Sequence, residues 1–489
     1  MKHVISVGDF DLPFIDGVLA SAESYRMTWE KGEPLPSVSD QGVVRLLFGE
    51  PSTRTAGSFE EAARLLGLPH VLTSGAEGTS LVKGETLGAT ARMFCGYNGS
   101  ALVMRTKVEG APRWVAEMAA RRGMQLCVLN AGDGANEHPS QTLLDLYTIR
   151  RHLGRLNGFK IGFVGDFKYS RTVHSLIRAL RLLEGVEIVL VSAPEAQLQW
   201  WYTRGMYNVT VASDLETLAG CHLVYATRVQ RERFPSEYEY HRVAGRFTID
   251  QAALDMLGSK VLVMHPLPIG DNEIHPSVLG DPRVIIDAQA ANGVPIRMAL
   301  LNEALHSRCA ETPLEVIGPE IEDVRSGSAD EAIARKQLAQ QRFLPISNGT
   351  VLDHLPVGFG RRIQSVLGLD PNAHYVGLDQ GLRSNGQGGK KDTLRLEDVF
   401  LNARELSAIG ILVPQVTINE IRDGVLTKRR VATVREITGI GSCPNPACVT
   451  RCDAEAALYP HFHVNGEGRE VLACHYCEQH FDRREVLVD

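Results

Sequence analysis

Glu50-Pro51-Ser52-Thr53-Arg54-Thr55 places three hydroxyls and a guanidinium between an apolar run, residues 43–48, and a segment in which Phe59, Ala62, Ala63, Leu65 and Leu66 recur at helical spacing before Gly67. The run reads as a buried strand and the segment as a helix with a glycine stop. Residues 52–55 then occupy the first turn of that helix, where free backbone N–H groups and the helix dipole favour negative charge. An isolated Ser-Thr pair is more often a simple N-cap. Arg54 inside the turn, with further cations downstream, points instead to a bound oxyanion, and specifically to a phosphate.

Outward from this stretch, the alternation of short apolar strands and helical patterns continues to about residue 309. Strands are expected at 101–104, 126–130, 160–165, 187–192, 223–226 and 260–264. That alternation is the mark of an α/β fold with parallel sheets covered by helices. Ligands in such sheets sit beyond the carboxyl ends of the strands. The polar residues there should therefore converge: Arg105; Asn130-Ala131-Gly132-Asp133-Gly134 leading into His138-Pro139-Ser140-Gln141; Gly165-Asp166-Phe167-Lys168-Tyr169-Ser170-Arg171; Thr227-Arg228-Val229-Gln230; and His265-Pro266-Leu267-Pro268. Pro139 suits a first helical position and leaves His138 and Gln141 at a second helix N-terminus. The G-x-x-G-D at 162–166 does not match the dinucleotide fingerprint, which excludes a nicotinamide enzyme. Arg54, Arg105, Arg171 and Arg228, without a matching string of acids, imply two anionic ligands side by side.

A length of 489 residues implies more than one folded unit. The net charge of −7 leaves no footprint for nucleic acid or an anionic membrane surface. The opening MKHVISVGDFDLP lacks a basic region followed by an apolar core, and no apolar run approaches the roughly 20 residues of a membrane helix, so a cytoplasmic location is expected. Nine cysteines, an odd count crowded toward the end, argue for metal binding rather than a disulfide framework.

Residues 310–342 turn charged and small, with Gly318-Pro319-Glu320 and Ser326-Gly327-Ser328, and read as a linker with one helix at 329–341. The next stretch, 343–437, mixes strands at 374–378, 393–396 and 415–418 with helices at 360–367 and 403–409, as in a small α+β domain. In 438–489, Cys443-x4-Cys448 and Cys474-x2-Cys477 are separated by twenty-five residues. Paired knuckles of this kind complete a tetrahedral zinc shell, and so short a β-rich domain needs such a staple. Cys452, His463 and His475 remain open as alternative ligands, and an iron–sulfur cluster as an alternative group.

The segments FGEPSTRT, GTSLVKGETL, LVMR, NAGDGANEHPSQTLLDLYTI, GDFKYSRTVHSL, TRVQRER and HPLP, in this order, resemble the catalytic chain of the aspartate carbamoyltransferase family over about the first 309 residues. Pro266 stands where ornithine-specific relatives usually carry cysteine. The resemblance implies two lobes: a carbamoyl phosphate lobe, 1–140, completed by a helix near 290–309, and an aspartate lobe, 141–289. It implies that Ser52, Thr53, Arg54 and Thr55 hold the phosphate, that Arg105, His138 and Gln141 surround the carbamoyl group, and that Leu267 adds backbone contacts. Arg171, Arg228 and Gln230 would grip the two carboxylates of aspartate. Ser80 and Lys83 would reach in from an adjacent subunit, Lys83 serving both aspartate and the departing phosphate, which makes a homotrimer the smallest working unit. Arg54, Thr55, Lys83, Arg105 and His138 would carry the catalysis, with no cofactor for the chemistry. Gly49, Ala56-Gly57 and Ile269 depart from the usual pattern.

GTVLDHLP, GKKDTLRLEDVFL and VPQVTINEI resemble the regulatory chain of the same family. By that resemblance, Ile346, Val351, Asp353, Lys391, Arg395, Asn419, Ile421 and Arg429 would contact a nucleotide effector, unless the domain retains only an assembly role. The cysteine spacing also resembles the zinc domain of that chain, which implies a structural ion. The implied function is carbamoyl transfer to L-aspartate in pyrimidine synthesis, modulated by nucleotides. The competing readings are a nucleotide-responsive zinc scaffold with impaired catalysis and a carbamoyltransferase with another amino-acid acceptor.

Overall fold

The computed structural model describes residues 3–38, 42–75, 84–96, 99–229, 236–238, 240, 246–270, 273–306, 317–332, 346–369, 375–383, 389–465 and 470–487. The chain divides into two compact units, Met1–Pro313 and Leu314–Asp489.

In the first unit, β1 (Val43–Phe48), β2 (His70–Ser74), β3 (Gly99–Thr106) and β4 (Cys127–Asp133) form a parallel sheet in the order β2-β1-β3-β4. A second parallel sheet holds β5 (Lys160–Val164), β6 (Glu187–Val191), β7 (Val209–Ala212), β8 (Leu223–Ala226) and β9 (Leu262–Met264) in the order β7-β6-β5-β8-β9. Every residue of β4 and β8 is buried, as expected of strands covered by helices on both faces. β2 and β7 were not anticipated. Both are half-exposed edge strands that carry no buried apolar run.

Helix boundaries follow from local chemistry. Asp11 caps α1 (Leu12–Glu30) by accepting the Phe14 N–H at 2.8 Å, with Pro13 in the first turn. Ser52 caps α2 (Thr53–Leu65), and Gly67, at φ +70°, ends it. Pro139 opens α5 (Pro139–Leu153), buried from its first residue through Ile149, which follows α3 (Leu87–Gly96) and α4 (Ala111–Arg121). α6 (Arg171–Leu180) begins at the β5 strand end. The Gly293–His306 helix returns to pack on α1, α2 and α5. One apolar core runs through both lobes, from Val44, Leu46, Val103 and Leu129 of the first sheet to Ile161, Phe163, Leu190 and Tyr225 of the second, and another, with Val189, Val224 and Val263, packs on the second sheet's other face.

The second unit contains a six-stranded antiparallel sheet in the order β10-β15-β14-β11-β13-β12. Its strands are β10 (Glu320–Ser328), β11 (Gly349–Leu355), β12 (Val376–Arg383), β13 (Lys390–Glu397), β14 (Thr417–Arg422) and β15 (Val425–Thr433), with helices Phe359–Val366 and Ala403–Leu412. β10 corrects the reading of 310–342 as a linker: residues 320–328 form an edge strand on β15. All nine of its residues are exposed, so backbone pairing rather than an apolar pattern recruits it. Helix 329–341 falls for the most part outside the described residues. A final antiparallel sheet orders β16 (Glu436–Thr438), β17 (His461–Val464), β18 (Val471–Cys474) and β19 (His480–Asp482). The architecture is thus a two-lobed parallel α/β unit followed by a small α+β domain and a β-rich domain with a cysteine cluster.

Candidate functional site

The turn from β1 into α2 presents residues 52–55 as expected. Ser52 Oγ accepts the Thr55 N–H at 3.3 Å, so capping and anion binding share one turn. Thr55 is buried, while Thr53 and Arg54 are exposed. Arg54 has no ion-pair partner among the described residues.

Arg105, at the end of β3, donates to the Ala131 carbonyl at 3.1 Å and lies 3.5 Å from His138 Nε2. Burial, then the neighbouring Arg171, pulls its pKa down to about 9. Arg171, the first residue of α6, donates to the Gly134 carbonyl at 2.8 Å. One carboxylate oxygen of Glu50 lies 3.1 Å from two Arg171 nitrogens and 3.4 Å from Arg105 Nε, bridging the two lobes. The sequence offered Glu50 only as the residue before the hydroxyl run.

His138 is 4% exposed and stands at the N-cap position of α5 without a side-chain capping bond. Its N–H donates to Ser175 Oγ at 2.8 Å, and that hydroxyl donates in turn to Glu137. Burial, followed by the charges of Arg105, Arg171 and Arg297, holds His138 well below the usual imidazole range, so the ring is neutral. Arg297, buried over the Phe59 ring at 5.0 Å, escaped the sequence reading because its neighbours on the helix, Ile296, Met298 and Leu300, are apolar. Gln141 donates to Asp145 at 3.0 Å, and Asp145 also accepts from Gln289 at 2.6 Å and the Tyr225 hydroxyl at 2.8 Å. Burial pushes the Asp145 carboxyl up to about 7.

At the end of β9, the His265 N–H donates to Gln289 Oε1 at 2.9 Å, and His265 Nδ1 accepts the Leu267 N–H at 2.9 Å. Burial, then Arg54 and Arg228, pulls His265 down to about 3. Its buried Nε2 has no hydrogen-bond partner among the described residues. Leu267 adopts φ +60°, a sparsely populated conformation for a branched side chain and one found where function over-determines the backbone. Because Arg54 is felt at both Arg105 and His265, Arg228 at His265, and Arg171 at Arg105 and His138, all four arginines and both histidines share one electrostatic neighbourhood. Ser80, Lys83 and Gln230 lie outside the described residues.

In the second unit, β11 brings Val351 opposite Arg395 on one side and Asn419 on the other. Asp353 pairs with Lys391 at 2.6 Å and Arg395 with Asp379 at 2.7 Å. Ile346 and Ile421 pack with Ala329, and Val351 lies against them. Seven of the eight expected residues therefore share one face of the sheet. Arg429 does not. It pairs with Ile418 across β14, ion-pairs with Glu420 at 2.6 Å and Asp323 at 2.9 Å, and lies on the opposite face. Lys428, opposite Asn419, takes that place; a one-residue slip on a strand exchanges faces.

Cys443, Cys448, Cys474 and Cys477 are buried, with their ligand atoms all within 4.8 Å of one another. Cys443 and Cys477 sulfurs are 3.7 Å apart and those of Cys448 and Cys474 3.8 Å. Four sulfurs at about 2.3 Å around a tetrahedral Zn²⁺ would be about 3.8 Å apart. The set fits such an ion. Cys452 is exposed and bonds the Pro446 carbonyl instead, while His463 and His475 belong to a separate cluster.

Comparison with known proteins agrees with each part of this layout. Residues 2–151 match the carbamoyl-P binding domain of aspartate/ornithine carbamoyltransferase and 157–303 its Asp/Orn binding domain. Residues 342–432 match the allosteric domain of the aspartate carbamoyltransferase regulatory chain, and 435–487 its metal binding domain. The aspartate carbamoyltransferase catalytic subunit of Archaeoglobus fulgidus is 42% identical over 306 residues, 62% of this chain and 99% of that protein. Among solved structures, the catalytic subunit of M. jannaschii aspartate transcarbamoylase superposes with a TM-score of 0.57 at 39% identity, covering 62% of this chain and 98% of that one. The Trypanosoma cruzi aspartate transcarbamoylase in complex with carbamoyl phosphate and aspartate gives 0.56 at 32% identity, over 61% of this chain and 95% of that one. The same enzyme has been solved with N-(phosphonacetyl)-L-aspartic acid. The chain belongs to the aspartate carbamoyltransferase family, joining in one polypeptide the two catalytic-chain domains and the two regulatory-chain domains.

Proposed function

We propose that the protein transfers the carbamoyl group of carbamoyl phosphate to the amine of L-aspartate, giving N-carbamoyl-L-aspartate and phosphate, the committed chemistry of pyrimidine synthesis in the cytoplasm. The observation that carries this reading is the gathering of Arg54, Arg105, Arg171 and Arg228 around two neutral histidines. The donor lobe, 1–140 with the Gly293–His306 helix, supplies Ser52, Thr53, Arg54 and Thr55 to the phosphate, with Arg105, His138, Gln141 and the Leu267 backbone around the carbamoyl group. The acceptor lobe, 141–289, supplies Arg171, Arg228 and Gln230 to the dicarboxylate. Ser80 and Lys83 of a neighbouring subunit complete the site in a homotrimer.

The neutral amine attacks the carbamoyl carbon, and Thr55, Arg105 and His138 stabilise the oxygen that gains negative charge. As the C–O bond to phosphate breaks, the leaving phosphate takes the amine proton, so the chain need supply no base. His138, held neutral, acts through position and hydrogen bonding rather than charge. Aspartate must displace Glu50 from Arg171, which couples acceptor binding to lobe closure and to the exclusion of water. Zn²⁺ at the four cysteines would supply structure only. The sheet face bearing Val351, Asp353, Lys391, Arg395, Asn419 and Lys428 binds a nucleotide that modulates the transfer.

The test is phosphate release from carbamoyl phosphate with L-aspartate, L-ornithine or no acceptor. Release that depends on aspartate, and falls at least about 1,000-fold in Arg54→Ala, is the expected result. Equal release with ornithine, or full activity in that variant, would refute it.

A further inference from the structure

We infer that the C-terminal domain carries a second metal site, in which His461, His463 and His475 hold a first-row divalent transition-metal ion. The three imidazole ligand atoms lie within 4.8 Å of one another. His461 and His463 are two residues apart on β17 and project from the same face. His475 follows β18 and its backbone N–H donates to the His461 carbonyl at 2.9 Å, so a ring from the turn after a second strand joins them. The His463 Nε2 and His475 Nδ1 atoms are 2.8 Å apart, and the His461 and His475 rings stack at 4.4 Å.

Glu436 supports the cluster. It stands directly opposite His463 across β16, and its Oε2 lies 2.9 Å from His461 Nε2, so a bound metal would be held through Nδ1 of that ring. A carboxylate on the far nitrogen is the usual device for orienting a metal-bound imidazole. The other Glu436 oxygen accepts the Ile317 N–H, which fixes the carboxylate in turn.

The site is distinct from the four cysteines. Cys474 pairs with Phe462, whose side chain alternates to the opposite face of β17 from His461 and His463, so the two clusters use the same sheet without sharing a ligand. Three imidazoles suit Zn²⁺ and the neighbouring ions Co²⁺, Ni²⁺ and Cu²⁺, and three protein ligands leave a fourth position for water or an external donor. Two nitrogens on one tetrahedral ion lie about 3.3 Å apart, so a small outward turn of His463 admits it. The His463 side chain is 42% exposed, which gives the ion its entry.

The experiment equilibrates the full-length chain, without an affinity tag, with buffered Zn²⁺ and measures metal per chain by elemental analysis. It is repeated with Co²⁺ by absorbance. Wild type is expected to take two equivalents and His463→Ala one, and the Co²⁺ form of the variant is expected to keep its thiolate charge-transfer band while losing the added d–d absorption. That retained band certifies that the variant is folded around its cysteines. His461→Asn provides a second variant with the same expectation. One equivalent in wild type, or two in both variants, would overturn the proposal, and the wild-type count decides it even if a variant fails to fold.

Discussion

At Gly132 the backbone holds φ +116°, and a Cβ placed there would come within 3.0 Å of Arg171 Cζ and 3.1 Å of Arg105 Nη1. Gly132→Ala must therefore displace one of the two guanidiniums as well as strain the backbone, at a cost of about 1–3 kcal/mol. A shift of this kind at the reacting groups is expected to lower kcat/KM for aspartate about 100-fold, while thermal melting shows the variant still folded; wild-type kinetics would disprove it. His265 makes a pH prediction of definite sign. Its folded pKa of about 3 lies below the unfolded value near 6.5, so the unfolded chain binds the extra proton between them. Its share of stability is complete above about pH 6.5 and is lost as pH falls toward 3, by up to about 1.4 kcal/mol per pH unit. His265→Asn should flatten the acid limb of urea midpoints measured from pH 7 to pH 4 by that amount. An unchanged limb would mean that His265 takes up its proton over the same pH range in the folded and unfolded chains, contradicting the lowered value.

Strands and their faces decide the nucleotide proposal. Lys428 lies opposite Asn419 on the face that carries Asp353 and Lys391, while Arg429 is tied by Glu420 and Asp323 on the other. Lys428→Ala should abolish the effect of nucleotide on the aspartate saturation curve, and Arg429→Ala should leave it while lowering the melting temperature; the reverse pattern would return the role to Arg429. This element also marks how far sequence reading reached. The strand of residues 43–48, the capped hydroxyl turn and the paired cysteine knuckles were legible because apolar runs, caps and ligand spacing are local signals. β10 was not, since all its residues are exposed and only its backbone bonds place it. Glu50, Asp145, Gln289 and Arg297 were missed for a related reason: their partners are distant in sequence, and the register of β14 with β15 that sets Lys428 against Arg429 is fixed by pairing rather than composition.

For the whole molecule, the fused chain fixes one regulatory-type unit to each catalytic unit, so the effective concentration of one for the other does not depend on dilution. Among the described residues no helix is long and apolar enough to cross a membrane. The central claim is that a single cleft clamps a phosphorylated donor beside a dicarboxylate. Calorimetric titration with N-(phosphonacetyl)-L-aspartate, which joins both ends in one molecule, tests it most directly when wild type is compared with Arg54→Ala and Arg171→Ala. Wild type should bind one equivalent per chain, and each variant should lose at least about 100-fold in affinity, as expected when charge-assisted hydrogen bonds to an anion are removed. Inorganic phosphate should weaken only in Arg54→Ala and succinate only in Arg171→Ala. Wild-type affinity for the bisubstrate ligand in both variants would contradict the account.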